Sequence, residues 1–201
     1  MNMYKDFYEK LCGCTSPERV KEQELMAKHT TFRVGGPADY FVSPADSVEV
    51  KNLTELCKAE GVPYYIVGNG SNLLVSDKGY RGVIIAIGRE MSRIEVRENE
   101  IRAQAGALMS QIAAAALENE LAGFEFASGI PGTIGGAAVM NAGAYGGEMK
   151  DVIWQVTVLD GEGNTLVLSQ DELEFGYRTS IVMKRGYIVL EVCIRLEKGN
   201  R

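Results

Sequence analysis

The chain has 201 residues, 46% apolar and 24% charged, and carries a net charge of −6 because 27 acidic residues outnumber 21 basic ones. This composition is ordinary for a globular protein of one large or two small domains. The acidic balance argues against a nucleic-acid partner, which would require a basic stripe. No basic leader precedes an apolar segment and no apolar run of about 18 residues is present, so we expect a cytoplasmic protein without membrane contact.

Four cysteines and a single histidine, His29, limit the metal chemistry that the chain can support. Only Cys12 and Cys14 are close in sequence, and a C-x-C pair alone is a weak zinc signature. Because Cys57 and Cys193 lie far from this pair, we expect reduced thiols and no metal site. Two roles stay open for His29: contact with a cofactor, or a structural hydrogen bond within its loop.

The first part of the chain has the pattern of a small α/β unit. Residues 2–28 mix charged and apolar positions, which predicts one or two amphipathic helices, the second opened by Ser16-Pro17-Glu18. We then expect a helix at residues 46–60, ended by Gly61, and strands at residues 39–43, 63–67, 73–75 and 82–87. Strand, helix and strand in succession indicate an α/β arrangement.

After Gly88 the pattern changes to hairpins and small-residue segments. We expect a hairpin of residues 91–96 and 100–105, a helix at residues 109–119, and strands at residues 152–159, 165–168 and 186–196. We expect the apolar residues of these strands, Trp154 included, in the core. Met109 and Met140 are predicted to pack rather than to bind a ligand.

The first candidate motif follows the apolar strand and reads Gly68-Asn69-Gly70-Ser71-Asn72. Glycines let the backbone turn tightly and point successive N–H groups at an anion, and Ser71 and Asn72 add side-chain donors. The motif is neither a Walker A loop nor G-x-G-x-x-G. Standing alone, it favours an ordinary turn over a phosphate loop.

The second candidate motif runs from Gly129 to Gly147 and is dominated by small residues. Pro131 could open a helix whose N-terminus offers free N–H groups to a pyrophosphate. The alternative is tight helix–sheet packing, which also selects glycine and alanine, and this segment alone leaves the choice even. Two loops of phosphate-binding type in one short chain favour a dinucleotide ligand.

The third candidate motif is Phe175-Gly176-Tyr177-Arg178-Thr179-Ser180, between predicted strands. An arginine can stabilise developing negative charge and can hold a carboxylate bidentately. The adjacent tyrosine can stack on a ring or hydrogen-bond a phosphate. From this segment alone, a surface arginine in a loop is the better reading.

Taken together, four segments resemble the UDP-N-acetylenolpyruvoylglucosamine reductase family, also called UDP-N-acetylmuramate dehydrogenase or MurB. They are HTTFRVGGPADYFVSP at 29–44, VGNGSNLLVSDKGYRGVII at 67–85, EFASGIPGTIGGAAVMNAGAYGGEM at 125–149 and YRTS at 177–180. Their order and spacing agree with the family as well, and the resemblance covers essentially the whole chain.

The resemblance implies an α+β fold of the vanillyl-alcohol oxidase and p-cresol methylhydroxylase (PCMH) type, with FAD between two α+β subdomains. We expect these subdomains at residues 1–88 and 89–201. It also implies NADPH-dependent reduction of UDP-N-acetylglucosamine enolpyruvate to UDP-N-acetylmuramate, for the peptidoglycan of the cell wall. FAD would carry the hydride from NADPH to the substrate, and a monomer is expected.

The resemblance also assigns roles residue by residue. Arg178 matches the arginine that stabilises the anionic intermediate, and Tyr177 matches its neighbour at the substrate. The residues that match the family's FAD contacts are Gly68, Asn69, Gly70, Ser71, Asn72 and Leu73 in the first motif, and Gly129, Ile130, Pro131, Gly132, Gly135, Gly136, Asn141, Ala142 and Gly143 in the second.

One departure from the family affects the expected activity. The family's third domain carries the serine or cysteine that donates a proton, a glutamate that works with the arginine, and much of the UDP site. That domain is expected to begin after Leu196, whereas the sequence ends at Arg201. Ser180 does not match the donor serine. We therefore expect a truncated chain that binds FAD and lacks normal turnover, and the short link after Arg178 indicates a type II member.

Two other functions compete with a complete reductase. One is another flavoprotein oxidase of the same fold, which the setting of Arg178 and the lack of a histidine near a flavin-contacting loop disfavour. The other is an FAD- or UDP-sugar-binding fragment without catalysis.

Overall fold

A computed structural model of the chain describes residues 3–199, with side chains from residue 6 onward. The chain divides into two compact units, Met1–Glu90 and Met91–Arg201. The predicted mixture of helices and strands is confirmed. The domain assignment made from the sequence placed its boundary after residue 88 and stays a prediction.

The first unit is a four-stranded sheet with two helices. Its strands are β1 Val20–Leu25, β2 Pro37–Val42, β3 Tyr64–Val67 and β4 Tyr80–Ala86, and its helices are α1 Met3–Cys14 and α2 Ser47–Ala59. The strand order is β1-β2-β4-β3, in which β4 runs parallel to both β2 and β3, while β1 is antiparallel to β2. Phe7 and Leu11 of α1 and Leu53 of α2 pack with Tyr40 and Val42 of β2 in one core.

Helix α2 forms where the sequence predicts it. The Asp46 side chain accepts a hydrogen bond from the Glu49 N–H and so caps the first turn. Val50, Leu53 and Cys57 are buried at the spacing of one helical face. Gly61 takes a φ of +64° just after the helix, which glycine adopts without steric cost.

The second helix expected before residue 28 is wrong. Residues Val20–Leu25 form the edge strand β1, between two short 3-10 turns at Pro17–Arg19 and Met26–Lys28. Pairing with β2 satisfies the strand's backbone along one side, with Val20 opposite Val42. Its residues 21–23 are exposed, as is common on an edge strand, and such a run of exposed polar residues also suits a helix surface.

The strand expected at residues 73–75 does not form either. This segment is an irregular loop in which Leu74 is 72% exposed. Leu73 and Val75 pack against the buried cluster that contains Met26 and Phe41, so their apolar character reflects packing rather than a sheet ladder.

The second unit is built on a five-stranded antiparallel sheet of order β11-β10-β12-β6-β5. Its main strands are β5 Ile94–Arg97, β6 Glu100–Gln104, β10 Ile153–Leu159, β11 Thr165–Ser169 and β12 Ile188–Arg195. Two small ladders join β7 Leu121–Ala122 to β13 Glu197–Lys198 and β8 Gly143–Ala144 to β9 Gly147–Glu148. The helices are α3 Met109–Glu118, α4 Ile134–Val139 and α5 Ile181–Arg185.

The predicted hairpins and the alanine-rich helix of this unit are confirmed. The two-residue turn Glu98–Asn99 joins β5 to β6, with Arg97 opposite Glu100. Helices α3 and α4 lie against the sheet, with α4 in contact with β12. Buried Met109, Ile112 and Ile134 contribute to the core, in agreement with the packing role expected for Met109.

Trp154 does not lie in the core, contrary to the prediction. Its side chain is 40% exposed, and the Arg195 guanidinium lies 3.7 Å from the ring centroid. Arg195 also donates to Glu100 at 2.6 Å. The tryptophan therefore makes a cation–π contact on the outer face of the sheet. Side chains of a strand point alternately to the two faces, so every second residue lies on this face.

Candidate functional site

The first unit contains a cavity of about 420 Å³ beside the first predicted loop. Gly68 and Asn69 line it together with Thr30, Phe41 and Gly88. Its lining also includes the cationic residues Lys21, Lys28 and Arg89 and the acidic residue Glu90, and both lysines pair with Glu24. Cationic side chains at a cavity suit a ligand that carries phosphate.

The loop from Gly68 to Asn72 is tightened by a contact that only glycine permits. Gly70 has a φ of +62°, and a Cβ there would overlap the carbonyl of His29. The Thr31 N–H donates to the Gly70 carbonyl at 3.2 Å, which fixes the loop against residues 29–31. This arrangement explains why Gly70 is required, while Gly68 and Asn69 face the cavity.

Gly88 has a different reason to be glycine. It lines the same cavity, its φ lies outside the left-handed region, and a Cβ added there would meet nothing within 4 Å. Packing within the protein therefore does not select glycine at this position. Space left open at a cavity wall fits a bound group that must approach the backbone closely.

Both roles left open for His29 remain compatible with its position. Its Nε2 lies 2.9 Å from Glu24 Oε1, its ring stacks on Phe41 at 4.0 Å, and it also lines the cavity. Burial raises the pKa of Glu24, but hydrogen bonds from His29 and Lys28 outweigh it and the net pKa is below its usual value. Glu24 therefore stays ionised and holds His29 and Lys28 at the cavity.

In the second unit, the proposed role of Pro131 is corrected. Helix α4 begins at Ile134, with Thr133 as its N-cap, so Pro131 precedes the helix instead of opening it. The N–H groups of Ile134 and Gly135 donate to the carbonyls of Ala107 and Ala105, both at 2.9 Å. These two amides are engaged in the protein and do not serve as free donors to a pyrophosphate.

The glycines of this segment divide between the two explanations that the sequence left open. A Cβ on Gly135 would lie 2.8 Å from the Cβ of Ala105, and one on Gly143 would lie 2.6 Å from the carbonyl oxygen of Gly147. Packing requires both. Gly132 has a φ of +155°, whereas a Cβ on Gly129 would meet nothing within 4 Å. Packing does not require Gly129, nor Gly136, where a Cβ would meet only Thr133 Oγ1 at 3.7 Å, so close ligand approach explains these two positions better.

Arg178 lies at the tip of a tight turn. The N–H of Gly176 donates to the Thr179 carbonyl at 3.0 Å, and the N–H of Thr179 donates back at 3.3 Å. Arg178 has a φ of +55°, and its Nη2 donates to the Gly143 carbonyl at 3.1 Å. The neighbouring Tyr177 is 85% exposed. Since a guanidinium has five N–H donors, this contact leaves donors for an anionic group.

The second and third motifs meet at this turn. Asn141 is fully buried and its Nδ2 donates to the Gly176 carbonyl at 3.0 Å. Ser180 is also fully buried, and its hydroxyl donates to the Val139 carbonyl at 2.6 Å and caps helix α5. The sequence predicted residues of both motifs separately but contains no local signal that they would touch.

Glu148 and Lys150 were not predicted, yet they border the same turn. Their charged groups lie 2.6 Å apart, and the hydrogen bond from Lys150 is the main reason that the pKa of Glu148 is lowered. Asn141 and the positive charge of Arg178 lower it further. Glu148 thus adds an ionised carboxylate near Arg178, and its place directly after the second motif was the only available signal.

Two negative observations concern residues 3–199. No helix in this range combines the length and apolar character that a bilayer crossing requires. The same range holds no group of three or more His, Cys, Asp or Glu side chains placed to bind a metal ion.

The family model of the FAD binding domain matches residues 38–169, which include the loop at the cavity and the Gly129–Gly143 segment. The chain belongs to the FAD-binding domain family. This FAD-binding domain is 50% identical over 196 residues to the UDP-N-acetylenolpyruvoylglucosamine reductase of Clostridioides difficile (strain 630). The match covers 98% of this chain and 64% of that reductase, so the chain spans less than two thirds of its relative.

Solved structures agree with the predicted fold. The FAD-binding domain matches the UDP-N-acetylenolpyruvylglucosamine reductase (MurB) from Thermus caldophilus with a TM-score of 0.78 and 35% identity, over 90% of this chain and 64% of that one. It matches p-cresol methylhydroxylase with a TM-score of 0.68 and 13% identity, over 98% and 44% of the two chains. The latter shows the fold alone. The resemblance to the reductase family and the PCMH-type α+β fold are both confirmed.

Proposed function

We propose that this chain forms the FAD-binding part of an NADPH-dependent reductase that converts UDP-N-acetylglucosamine enolpyruvate to UDP-N-acetylmuramate. The observation that carries the proposal is the match over almost the full chain to reductases of that name, at about half identity. The cavity with Gly68, Asn69 and Gly88 and the exposed Arg178 turn supply residues suited to a flavin nucleotide and an anionic substrate.

The residues of the first unit suit the diphosphate of FAD. Gly68 and Asn69 border the cavity, Gly88 leaves its wall open, and Lys21 and Lys28, which share the single carboxylate of Glu24, supply positive charge. The further matches Gly70, Ser71, Asn72 and Leu73 complete the loop. In the second unit, Gly129, Ile130, Pro131, Gly132, Gly136 and Ala142 remain proposed contacts. Bound FAD would supply hydride transfer from NADPH to the substrate.

Arg178 supplies the charge that this reaction requires of the protein. Hydride arrival makes the carbon beside the substrate carboxylate anionic. A guanidinium that is already fixed by its hydrogen bond to Gly143 stabilises this developing charge more than it stabilises the ground state, in which that carbon carries no charge. Tyr177 is the proposed second contact of the substrate, since it is exposed and its ring centroid lies 5.8 Å from the Arg178 guanidinium carbon.

The test uses the chain reconstituted with FAD under anaerobic conditions. We expect flavin absorbance near roughly 450 nm that bleaches with NADPH, and much more slowly with NADH as the matched donor control. A colourless chain that takes up no FAD would remove the cofactor assignment, and equal bleaching by both donors would remove the preference for NADPH.

Arg178→Ala separates cofactor binding from substrate chemistry. In a full-length reductase that contains this FAD-binding part, we expect the variant to retain FAD and bleaching, while reoxidation by the substrate slows by about 100-fold or more. Arg185→Ala, an exposed position at the end of helix α5, is the matched control. Reoxidation at the same rate in the Arg178→Ala variant would exclude Arg178 from the reaction.

A further inference from the structure

The side chain of Asn141 is buried inside the second unit, and its amide hydrogen-bonds to three groups of the protein. Its Oδ1 accepts from the Lys150 N–H at 2.9 Å, and its Nδ2 donates to the Gly176 carbonyl at 3.0 Å and to Glu148 Oε2 at 3.2 Å. The family resemblance places Asn141 in a segment that contacts the flavin. The buried amide, however, faces protein groups.

These contacts form part of a regular pattern. Alternate residues of one segment each hold the turn that carries Arg178. The Val139 carbonyl accepts from Ser180, Asn141 donates to Gly176, and the Gly143 carbonyl accepts from Arg178. Gly176 at the start of the turn, Ser180 directly after it and the guanidinium at its tip are thus all hydrogen-bonded to residues 139–143.

The backbone of both Asn141 and Arg178 has a strained conformation that the surrounding contacts must maintain. Asn141 and Arg178 have φ values of +45° and +55°, in the left-handed region that residues other than glycine rarely adopt. Such conformations persist where the surroundings over-determine them, and they cluster at functional sites. Asparagine tolerates this region better than most residues, and it can also supply donors to two oxygens at once.

We propose that Asn141 is a positioning residue whose amide holds the Gly176–Thr179 turn, so that the guanidinium of Arg178 is placed before the substrate carboxylate arrives. The contacts are independent of the reaction, and only the purpose of the placement rests on the proposed function. The amide is required because an aspartate would turn a carboxylate toward Glu148 and the Gly176 carbonyl without a donor for either. Besides Glu148, the charged groups around the Asn141 amide are Lys150, Arg178 and Asp151.

The test compares two substitutions with different losses. Asn141→Asp keeps an oxygen for the Lys150 N–H but loses both donors, whereas Asn141→Gly removes all three hydrogen bonds and accepts the left-handed backbone. Glu98→Gly is the matched control, because Glu98 has a φ of +55° and is exposed in the β5–β6 turn. All three variants are made in the full 201-residue chain.

Amide hydrogen exchange measured by NMR is the first readout. We expect the Gly176 and Thr179 amides to exchange about tenfold faster or more in both Asn141 variants. The Lys150 amide stays protected in Asn141→Asp and loses protection only in Asn141→Gly. Amides of Val156 and Val192, in the sheet, keep their rates. Unchanged exchange at Gly176 and Thr179, or a uniform loss that includes the sheet, would overturn the proposal.

The side-chain resonance of Arg178 is the second readout, since a merely structural asparagine would leave it in place. We expect the Nε–Hε signal, assigned by its loss in Arg178→Lys, to move to the averaged position of a free guanidinium in both Asn141 variants and not in Glu98→Gly. Titration with UDP-N-acetylglucosamine enolpyruvate should shift this signal in a full-length reductase that contains the unsubstituted FAD-binding part. If the substrate shifts nothing while the turn still loosens, the substrate role of Arg178 fails and the positioning role of Asn141 stands.

Discussion

At the scale of single residues, the glycines of the chain serve different purposes that the sequence alone does not separate. Gly70 and Gly135 are required by contacts with their own chain, at His29 and Ala105. At positions 88 and 129, neither a close contact within the protein nor a left-handed backbone requires glycine. Substitution of Gly88 or Gly129 therefore tests ligand approach, whereas substitution of Gly70 or Gly135 would disturb packing.

A methyl group at Gly88 should reduce FAD binding without reducing stability. Gly88→Ala introduces no clash and no left-handed strain, but it adds volume to the wall of the proposed nucleotide cavity. We expect FAD affinity to fall by about tenfold or more while the unfolding midpoint in urea changes little.

Gly13→Ala is the control for this prediction, because a Cβ at Gly13 in helix α1 also meets nothing within 4 Å. FAD titration followed by flavin fluorescence gives both affinities. If Gly88→Ala binds FAD as tightly as Gly13→Ala does, the cavity is not the cofactor site.

At the scale of elements, helix α2 shows how burial of one face governs chemistry. Cys57 is fully buried on that face. Burial is the main cause, and the nearby Cys14 a smaller one, of a rise in the pKa of its thiol from 9.0 to about 12. At pH 8 its thiolate fraction is therefore about a thousandfold below that of an ordinary cysteine, and native Cys57 should resist alkylation accordingly.

The same pKa makes stability depend on alkaline pH. The raised pKa means that the folded state retains its proton where the unfolded state has lost it. The stabilisation is therefore complete below pH 9 and is lost as pH rises toward about 12. Urea unfolding at pH 8 and pH 10 should show that the stability advantage over Cys57→Ala narrows by about 1 kcal/mol. A constant difference would contradict the raised pKa.

The elements that the sequence predicted correctly are those whose signals are local. Helix α2 has a cap, an apolar face and a terminating glycine within one segment, and the β5–β6 hairpin has its turn between two alternating strands. Strand β1 was missed because its assignment depends on β2, more than ten residues away along the chain. Its exposed charges alone suit a helix surface equally well.

The same distinction applies to the candidate site. Local motifs drew attention to the loop at Gly68 and to Arg178, but only the resemblance to the reductase family gave them roles, and those roles stay predictions. Asn141 was assigned to a flavin-contacting segment, but its hydrogen bond to Gly176 joins residues 35 positions apart. Neither the partners of Asn141 nor the involvement of Glu148 can be inferred without the folded chain.

At the scale of the whole molecule, ligand binding should appear as stability. A ligand that binds only the folded chain stabilises it by about 2.7 kcal/mol at 100 times its dissociation constant. For a chain of this size, we expect FAD at that concentration to raise Tm by about 5–10 °C. The lining of Lys21, Lys28 and Arg89 predicts that the phosphates contribute much of this binding.

Riboflavin, which has the same ring system without phosphate or adenosine, is therefore the informative comparison. At equal concentration it should raise Tm by a small fraction of the shift that FAD produces, and calorimetry at low and moderate salt should show that only the FAD shift declines with salt. An equal shift with both ligands would place the binding energy in the ring and not in the cationic cavity. The glycine loop would then lose its role as a phosphate site even though the family assignment holds.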